Sequence, residues 1–482
     1  MIPLRLEDVA RATGGRIASG AGDLVVDAVT TDSREVPDGR ALFVAIRGEH
    51  ADGHDHLAGA VEHGAVAVLS EREVDLGADV GVVVVEDTWT AIARLGAEVR
   101  DRVDPFVVAI TGSVGKTTTK DLTAAALGAG RRTVAAVGSF NNELGVPLTL
   151  LSLEEDSEAL VVEIGARGVG HVAELVPYAR PDVSIVTAVA GVHLELFGDI
   201  DAIAQAKGEL VEGLAGDGTA VLNADDERVA AMAARAPGAV LRYGLADGPR
   251  GDGAAAPDLV ASDVRLDRLA RASFAASTPW GDVDVTLPVA GRHHVWNALA
   301  ALAAAGVAGV PTHDAAAALA TARISDWRGE VTEHDGLVVL NDAYNANPTS
   351  VIAALDMLMT VERTGRAVAV LGVMAEIGPT AEAEHERVGR RAAELGVDLV
   401  IAVGDDAEGI ARGARAGGLP EDRVAAVDDA AAASALLAGD VGPGDVVLVK
   451  ASRVGGLEAV ADDLLADGRS GTRGAGADGA VQ

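Results

Sequence analysis

The densest chemistry in this 482-residue chain lies in ten residues, Thr111-Gly-Ser-Val-Gly-Lys-Thr-Thr-Thr-Lys120. They follow an apolar run, Phe106-Val-Val-Ala-Ile110, that predicts a buried strand. They lead into Asp121-Leu-Thr-Ala-Ala-Ala-Leu127, which predicts a helix. A glycine-bearing turn from strand to helix has the geometry of a phosphate cradle. Gly112 and Gly115 let the backbone approach phosphate oxygens closely, and the unpaired N–H groups of the first helical turn point at the anion. Lys116 can reach the outer phosphates, and the Thr117 hydroxyl can bind a Mg²⁺ ion. Ile110 stands where the longer form of the pattern has Gly, which leaves Thr-Gly-x-x-Gly-Lys-Thr. An ordinary turn of small residues is the alternative. The order strand, turn, lysine, hydroxyl, helix favours nucleotide binding, without saying what the nucleotide is used for.

Other residues gain meaning from this loop. Glu163 lies near the end of the apolar run Leu160-Val-Val-Glu-Ile164, which Gly165 follows. A carboxylate at the carboxyl end of a strand, in the sheet that carries a phosphate loop, is well placed to hold Mg²⁺. His193 follows the strand-like run Val183–Thr187; an imidazole there suits a second metal ligand as well as a surface role. Lys207 lies in a helical stretch, Gln205-Ala-Lys-Gly-Glu209, where a solvated lysine is the default. The same default covers Arg328 and Lys450 taken alone. Asp342-Ala-Tyr-Asn-Ala-Asn-Pro348 follows the apolar run Leu337–Leu340. With Tyr344, Asn345 and Asn347 it can line a nucleotide pocket, and it is equally rich in turn formers.

The elements that must position these residues read as three α/β units. Residues 1–104 hold strand-like runs at Ala41–Ile46, Ala65–Leu69 and Val82–Val85, then a helical pattern from Thr88 to Arg100 with Ile92, Leu95 and Val99 on one face. Asp104-Pro105 breaks the pattern. Residues 105–322 alternate apolar runs with helical stretches, the mark of a mostly parallel sheet covered on both faces. Alternation at Asp282–Leu287 predicts antiparallel strands late in this unit, and Ala298–Ala305 predicts a helix. Residues 323–467 carry four apolar runs, at Leu337, Ala367, Leu399 and Val446. Residues 468–482 lack periodicity and read as a disordered tail.

Composition narrows the function classes. Hydrophobic residues make up 49 % of the chain and aromatics 2 %, so the cores must be built from Val, Leu, Ile and Ala. A formal net charge of −34 repels phosphate polymers, which argues against a nucleic-acid partner. An anionic nucleotide must then be drawn in by local Lys, Arg and Mg²⁺. The absence of Cys excludes disulfides, thiolate metal sites and a Cys nucleophile. No basic leader and no run of about 18 apolar residues is present, so a cytoplasmic chain is expected.

Taken together the motifs resemble the Mur ligases, ATP-dependent amide ligases of bacterial cell-wall synthesis. The resemblance runs from Thr31 to about Leu465. It implies three domains, with a central sheet of the phosphate-loop ATPase type and a Rossmann-like carboxy-terminal domain. Thr111, Gly112, Ser113, Val114, Gly115, Lys116 and Thr117 would form the ATP loop, and the short form of the loop is the family's own. Thr31-Asp-Ser-Arg34 looks like part of the UDP-sugar domain, which assigns Ser33 and Arg34 to substrate. Three stretches look like the member that joins D-alanyl-D-alanine to a UDP-N-acetylmuramoyl-tripeptide: Phe140–Leu150, Asp342–Pro348 and Gly372–Gly378. They place Asn141, Asn142, Tyr344 and Asn345 on the substrate side.

The resemblance also revises single residues. It implies that Glu163 and His193 are metal ligands with Thr117. It implies that Lys207 is carbamylated, an anionic oxygen donor near a second Mg²⁺. Asn297, in Gly291-Arg-His-His-Val-Trp-Asn297, falls on the adenine side. Arg328 would reach the nucleotide phosphates and Asp342 the ribose. Val373 replaces an Asp often found after the preceding Gly. The enzyme is expected to act as a monomer with ATP and Mg²⁺. Two rivals stay open: a folate polyglutamylating ligase with the same ATP core, and a non-catalytic ATP-binding scaffold. The strand-bearing first hundred residues speak against the first, and the set Thr117, Glu163, His193 and Lys207 against the second.

Overall fold

Apolar runs of four to six residues, too short for helices, become the buried strands of three successive sheets. The computed structural model describes residues 1–48, 51–192, 194–251 and 255–466. The tail expected from residue 468 lies outside them. The first sheet has five strands, in the order Arg16–Ser19, Gly81–Val84, Ala65–Ser70, Ala41–Val44 and Ala28–Thr30. Helix Thr88–Val103 follows. The Asp87 carboxylate accepts from the amides of Trp89 and Thr90 at its start, and Asp104 ends it in the left-handed region at φ 53°. Its apolar face, with Ile92, Leu95 and Val99, joins Val107, Val146, Leu150 and Leu160 of the next unit in one cluster. The first two units therefore share a core. Gly96 permits the close approach, since a Cβ there would lie 3.1 Å from the Leu150 Cβ.

The second sheet has nine strands. Thr133–Ala135, Ala159–Glu163, Phe106–Thr111, Val183–Val186, Thr219–Asn223, Ala239–Leu245 and Leu259–Leu266 run parallel in that spatial order. Arg271–Ser277 and Val283–Ala290 extend it antiparallel, where the alternating pattern predicts them. Helix His294–Val307 covers one face. Six of its alanines are wholly buried, and their small side chains let it lie against helix Lys116–Gly128. A core poor in aromatics is filled by bringing backbones close.

The third sheet has six strands rather than four: Glu330–His334, Leu337–Asn341, Val446–Lys450, Ala367–Leu371, Leu399–Val403 and Val424–Val427, parallel except for the first. The two additional strands lie at the edges. Their partly exposed faces carry polar or small residues, which hides them from a search for apolar runs.

Candidate active site

The connection leaving Phe106–Thr111 runs toward one side of the sheet, and the one leaving its neighbour Val183–Val186 runs toward the other. Such a divergence opens a crevice at the carboxyl ends of the strands, and the phosphate loop sits there. Gly112 has φ 154°, and a Cβ on it would fall 1.8 Å from the Thr187 Oγ1. That hydroxyl donates to the Val114 carbonyl at 2.6 Å. Thr111 Oγ1 donates to the Ile164 carbonyl at 2.7 Å, and Ser113 Oγ to that of Ala190 at 3.0 Å. The loop is thus tied to both neighbouring strand ends. Helix Lys116–Gly128 begins after Gly115, at φ 82°, and no side chain caps its first amides. These orphan donors suit an anion.

Glu163 ends its strand 1 % exposed. One carboxylate oxygen accepts from Thr117 Oγ1 at 2.8 Å and the other from Asn141 Nδ2 at 2.7 Å. The Lys116 ammonium folds back to the Gly112 carbonyl at 2.9 Å. Burial lowers its pKa, and Arg328 adds to the shift while Glu163 opposes it. Hydroxyl and carboxylate oxygens make a donor set that fits a hard divalent cation. Among the described residues no three His, Cys, Asp or Glu side chains cluster as a complete metal site. A cation here would therefore fill its shell with phosphate oxygens and water, as Mg²⁺ commonly does.

Lys207 is not on a solvated face. It is 2 % exposed, and burial drives its pKa well below the ordinary lysine value, with the Lys116 charge adding to the effect. The reason is its register. In helix Ile200–Glu212, Lys207 falls four residues after Ile203 and three before Leu210, on the inward stripe. Lys450 is likewise 2 % exposed, against the solvated default. It pairs with Asp342 Oδ2 at 2.6 Å and donates to the Asn345 carbonyl at 2.8 Å, so the turn after Leu337–Asn341 is organised around a buried cation.

One cavity of about 770 Å³ gathers these groups. Lys116, Thr117, Glu163, Lys207 and Asn297 line it from the second sheet's unit, with Asn141 and Asn142. Arg328, Asp342, Tyr344 and Asn345 line it from the third. The Arg328 guanidinium lies 4.0 Å from the centroid of the Tyr344 ring, and the Tyr344 hydroxyl meets that of Ser139. The Asn297 Oδ1 packs against Gly115, 2.9 Å from where a Cβ would be.

Two expected substrate residues stand apart. Ser33 and Arg34 do not line this cavity, although Thr31 does. Arg34 is exposed and pairs with Asp32, whose carboxyl is held down at about 2 by that hydrogen-bonded guanidinium. His193 lies outside the described residues. Sequence reasoning also missed two supports. Thr187 holds the loop from the next strand. Lys120, 2 % exposed, donates to the carbonyls of Ala136 at 2.7 Å and Gly138 at 2.8 Å, fixing the segment that leads to Asn141. Nothing in linear spacing signals either contact.

Three family models match the chain in succession: Mur ligase family, catalytic domain, over residues 25–101; Mur ligase middle domain, over 110–305; and Mur ligase, glutamate ligase domain, over 327–453. The UDP-N-acetylmuramoyl-tripeptide–D-alanyl-D-alanine ligase of Mycobacterium tuberculosis (strain ATCC 25618 / H37Rv) is 40 % identical, over 98 % of this chain and 99 % of that protein. The chain belongs to the Mur ligase family. Among solved structures, this Mur ligase resembles the UDP-N-acetylmuramoylalanyl-D-glutamyl-2,6-diaminopimelate–D-alanyl-D-alanyl ligase of Acinetobacter baumannii, with TM-score 0.83 and 31 % identity over 96 % of this chain and 98 % of that one. It also resembles MurF from Thermotoga maritima in complex with ADP, with TM-score 0.77 and 28 % identity over 90 % and 96 %. The three-domain α/β architecture expected from the sequence is the fold of these ligases.

Proposed function

We infer that this Mur ligase joins D-alanyl-D-alanine to a UDP-N-acetylmuramoyl-tripeptide, using ATP, to make a pentapeptide precursor of peptidoglycan. The observation that carries the reading is near-full-length identity of 40 % to an enzyme so named. The cavity is consistent with it, because it joins a phosphate loop to a second unit's polar wall. In this reading the terminal carboxylate of the tripeptide attacks the γ-phosphorus of ATP, and ADP leaves. The free amine of the dipeptide then attacks the acyl phosphate, and inorganic phosphate departs with the C–O bond.

The protein's part is positioning and charge. The loop amides and Lys116 hold the phosphates, and Arg328 approaches them from the third unit. Asn297 borders the adenine side, and Asp342, held by Lys450, faces the ribose. Thr117, Glu163 and, by resemblance, His193 would hold Mg²⁺, which supplies Lewis-acid neutralisation of phosphate charge when bound. Burial favours the uncharged amine of Lys207, the form that takes up carbon dioxide as a carbamate, and a carbamate would add an oxygen donor beside Glu163. An acyl phosphate hydrolyses readily, so the walls must close on it and exclude water.

We take residues 1–104, 105–322 and 323–467 as the UDP-sugar, ATP and ligase domains, with action as a monomer in the cytoplasm. No helix among the described residues is long and apolar enough to cross a membrane. Phosphate release that requires both the tripeptide and the dipeptide tests the reading against a scaffold. ATP should support it and GTP barely. Lys116→Ala should abolish turnover in a folded protein. Lys207→Ala should be nearly inactive and partly restored by acetate or formate, whereas Lys116→Ala is not. An active Lys207→Ala enzyme would reject the carbamate.

A further inference from the structure

One cation on the cavity wall has no part in the phosphate chemistry above. Residues 164–170 connect the Glu163 strand to helix His171–Ala179, and Arg167 in this connection and His171 at the helix start line the cavity. The Arg167 amide donates to His171 Nδ1 at 3.1 Å, and His171 Nε2 lies 2.8 Å from Glu143 Oε1, off the line of the ring N–H. These contacts hold the backbone of Arg167 and the carboxylate of Glu143 on one imidazole ring. Among the described residues the Arg167 guanidinium itself has no hydrogen bond or ion pair. In a chain with 73 acidic and 39 basic residues, most arginines find a carboxylate, whereas this one lines the cavity without pairing to any carboxylate among the described residues. Glu143, its side chain 42 % exposed, pairs with no lysine or arginine among the described residues.

An unpaired guanidinium and a nearby carboxylate match a ligand that carries both a carboxylate and an ammonium. Their place in the chain says which part of the substrate arrives there. Arg167 lies four residues beyond Glu163, and Glu143 two beyond Asn141, and the Asn141–Glu163 hydrogen bond sits beside Thr117 at the phosphate loop. The carboxylate that receives the phosphoryl group belongs to the third residue of the tripeptide. With that carboxylate at the phosphate loop, beside this hydrogen bond, a side chain running from it toward Arg167 would pass these two segments. Lysine would end in an ammonium alone; 2,6-diaminopimelate ends in an ammonium and a carboxylate on one carbon.

We propose that Arg167 binds the distal carboxylate, and Glu143 the distal ammonium, of a 2,6-diaminopimelate third residue, and that Arg167 thereby selects this tripeptide over the lysine form. The proposal rests on the ligase reading above. It is tested by steady-state kinetics of the full-length enzyme with the two UDP-N-acetylmuramoyl-tripeptides. The unaltered enzyme should prefer the diaminopimelate form. Arg167→Gln should lower kcat/KM for it about ten- to a hundredfold, mainly through KM, and change the lysine form less than about threefold. Arg167→Lys should keep much of the preference, and Arg167→Glu should invert it. Glu143→Gln should raise KM for both. Melting curves like that of the unaltered enzyme are expected, because Arg167 is exposed. Equal losses for the two substrates in Arg167→Gln would place the guanidinium on the D-glutamyl carboxylate that both share and overturn the proposal. Unchanged kinetics with both would overturn it too. Failure of the unaltered enzyme to turn over either tripeptide would instead sink the ligase reading, and the proposal with it.

Discussion

Thr117 Oγ1 donates to Glu163 Oε2 across 2.8 Å, joining the first turn of the loop helix to the end of the adjacent strand. The other Glu163 oxygen is held by Asn141 from a third segment. A hydroxyl, a carboxylate and an amide 46 and 22 residues apart in sequence are thus locked together by the protein's own hydrogen bonds.

That arrangement makes Glu163→Gln informative, since the amide keeps the shape and loses the charge. Turnover should fall about a hundredfold or more, and the Mg²⁺ concentration for half-maximal rate should rise. The melting temperature should move little. A variant with ordinary rate and ordinary Mg²⁺ dependence would remove Glu163 from the metal set.

Gly112 has no room for a side chain. In Gly112→Ala the methyl would lie 1.8 Å from the Thr187 hydroxyl, which must leave the Val114 carbonyl. With backbone strain added, the loss should be about 1–3 kcal/mol in chemical denaturation, with weaker ATP binding. Adding Thr187→Ala removes the clashing oxygen and should recover part of the stability, a non-additivity read from the double-mutant cycle.

Tyr344 touches both sides of the cavity, Ser139 through its hydroxyl and Arg328 through its ring. Tyr344→Phe loses the first contact and should cost about 1 kcal/mol, a several-fold fall in kcat/KM. Tyr344→Ala also loses the ring beneath the guanidinium and should fall further, by about tenfold. Equal kinetics of the two variants would assign the whole effect to the hydroxyl.

His385 predicts a pH dependence. Its Nε2 accepts from the Met374 amide at 2.9 Å and its Nδ1 faces the Ala381 carbonyl at 2.7 Å, which fastens the segment Gly372–Gly378 to helix Ala381–Leu395. Burial lowers its pKa below the ordinary 6.5. Between the lowered value and 6.5 the unfolded chain binds more protons than the folded one, so stability rises with pH in that window and is lost as pH falls through it. His385→Gln should give a lower melting temperature at pH 7 and a flatter dependence below 6.5. An unchanged slope in the variant would assign the acid sensitivity to another group.

Much of this could be read from linear order, and the reason is range. The phosphate loop, its strand and its helix depend on residues next to one another: glycines where φ is positive, an apolar run before them, orphan amides after. Apolar runs such as Ala65–Ser70, Ala159–Glu163 and Ala367–Leu371 showed themselves in the same way, whereas Arg16–Ser19, Ala28–Thr30, Thr133–Ala135, Ala239–Leu245, Leu259–Leu266 and Arg271–Ser277 did not. The strands Glu330–His334 and Val424–Val427 did not, because an edge strand needs apolar residues on one face only. The register of Lys207 with Ile203 and Leu210 was visible, yet a lysine on an apolar stripe is tolerated only by what lies opposite, and that comes from another strand. The Asp342–Lys450 pair spans 108 residues, and the Ser139–Tyr344 contact 205. No periodicity encodes such distances. The first contact exists because strands Leu337–Asn341 and Val446–Lys450 lie side by side in the third sheet, and the second because the second and third units meet at the cavity. Which carboxylate neutralises which cation, and which wall closes which cavity, is therefore decided by packing, while the chemistry of the loop is decided by ten adjacent residues.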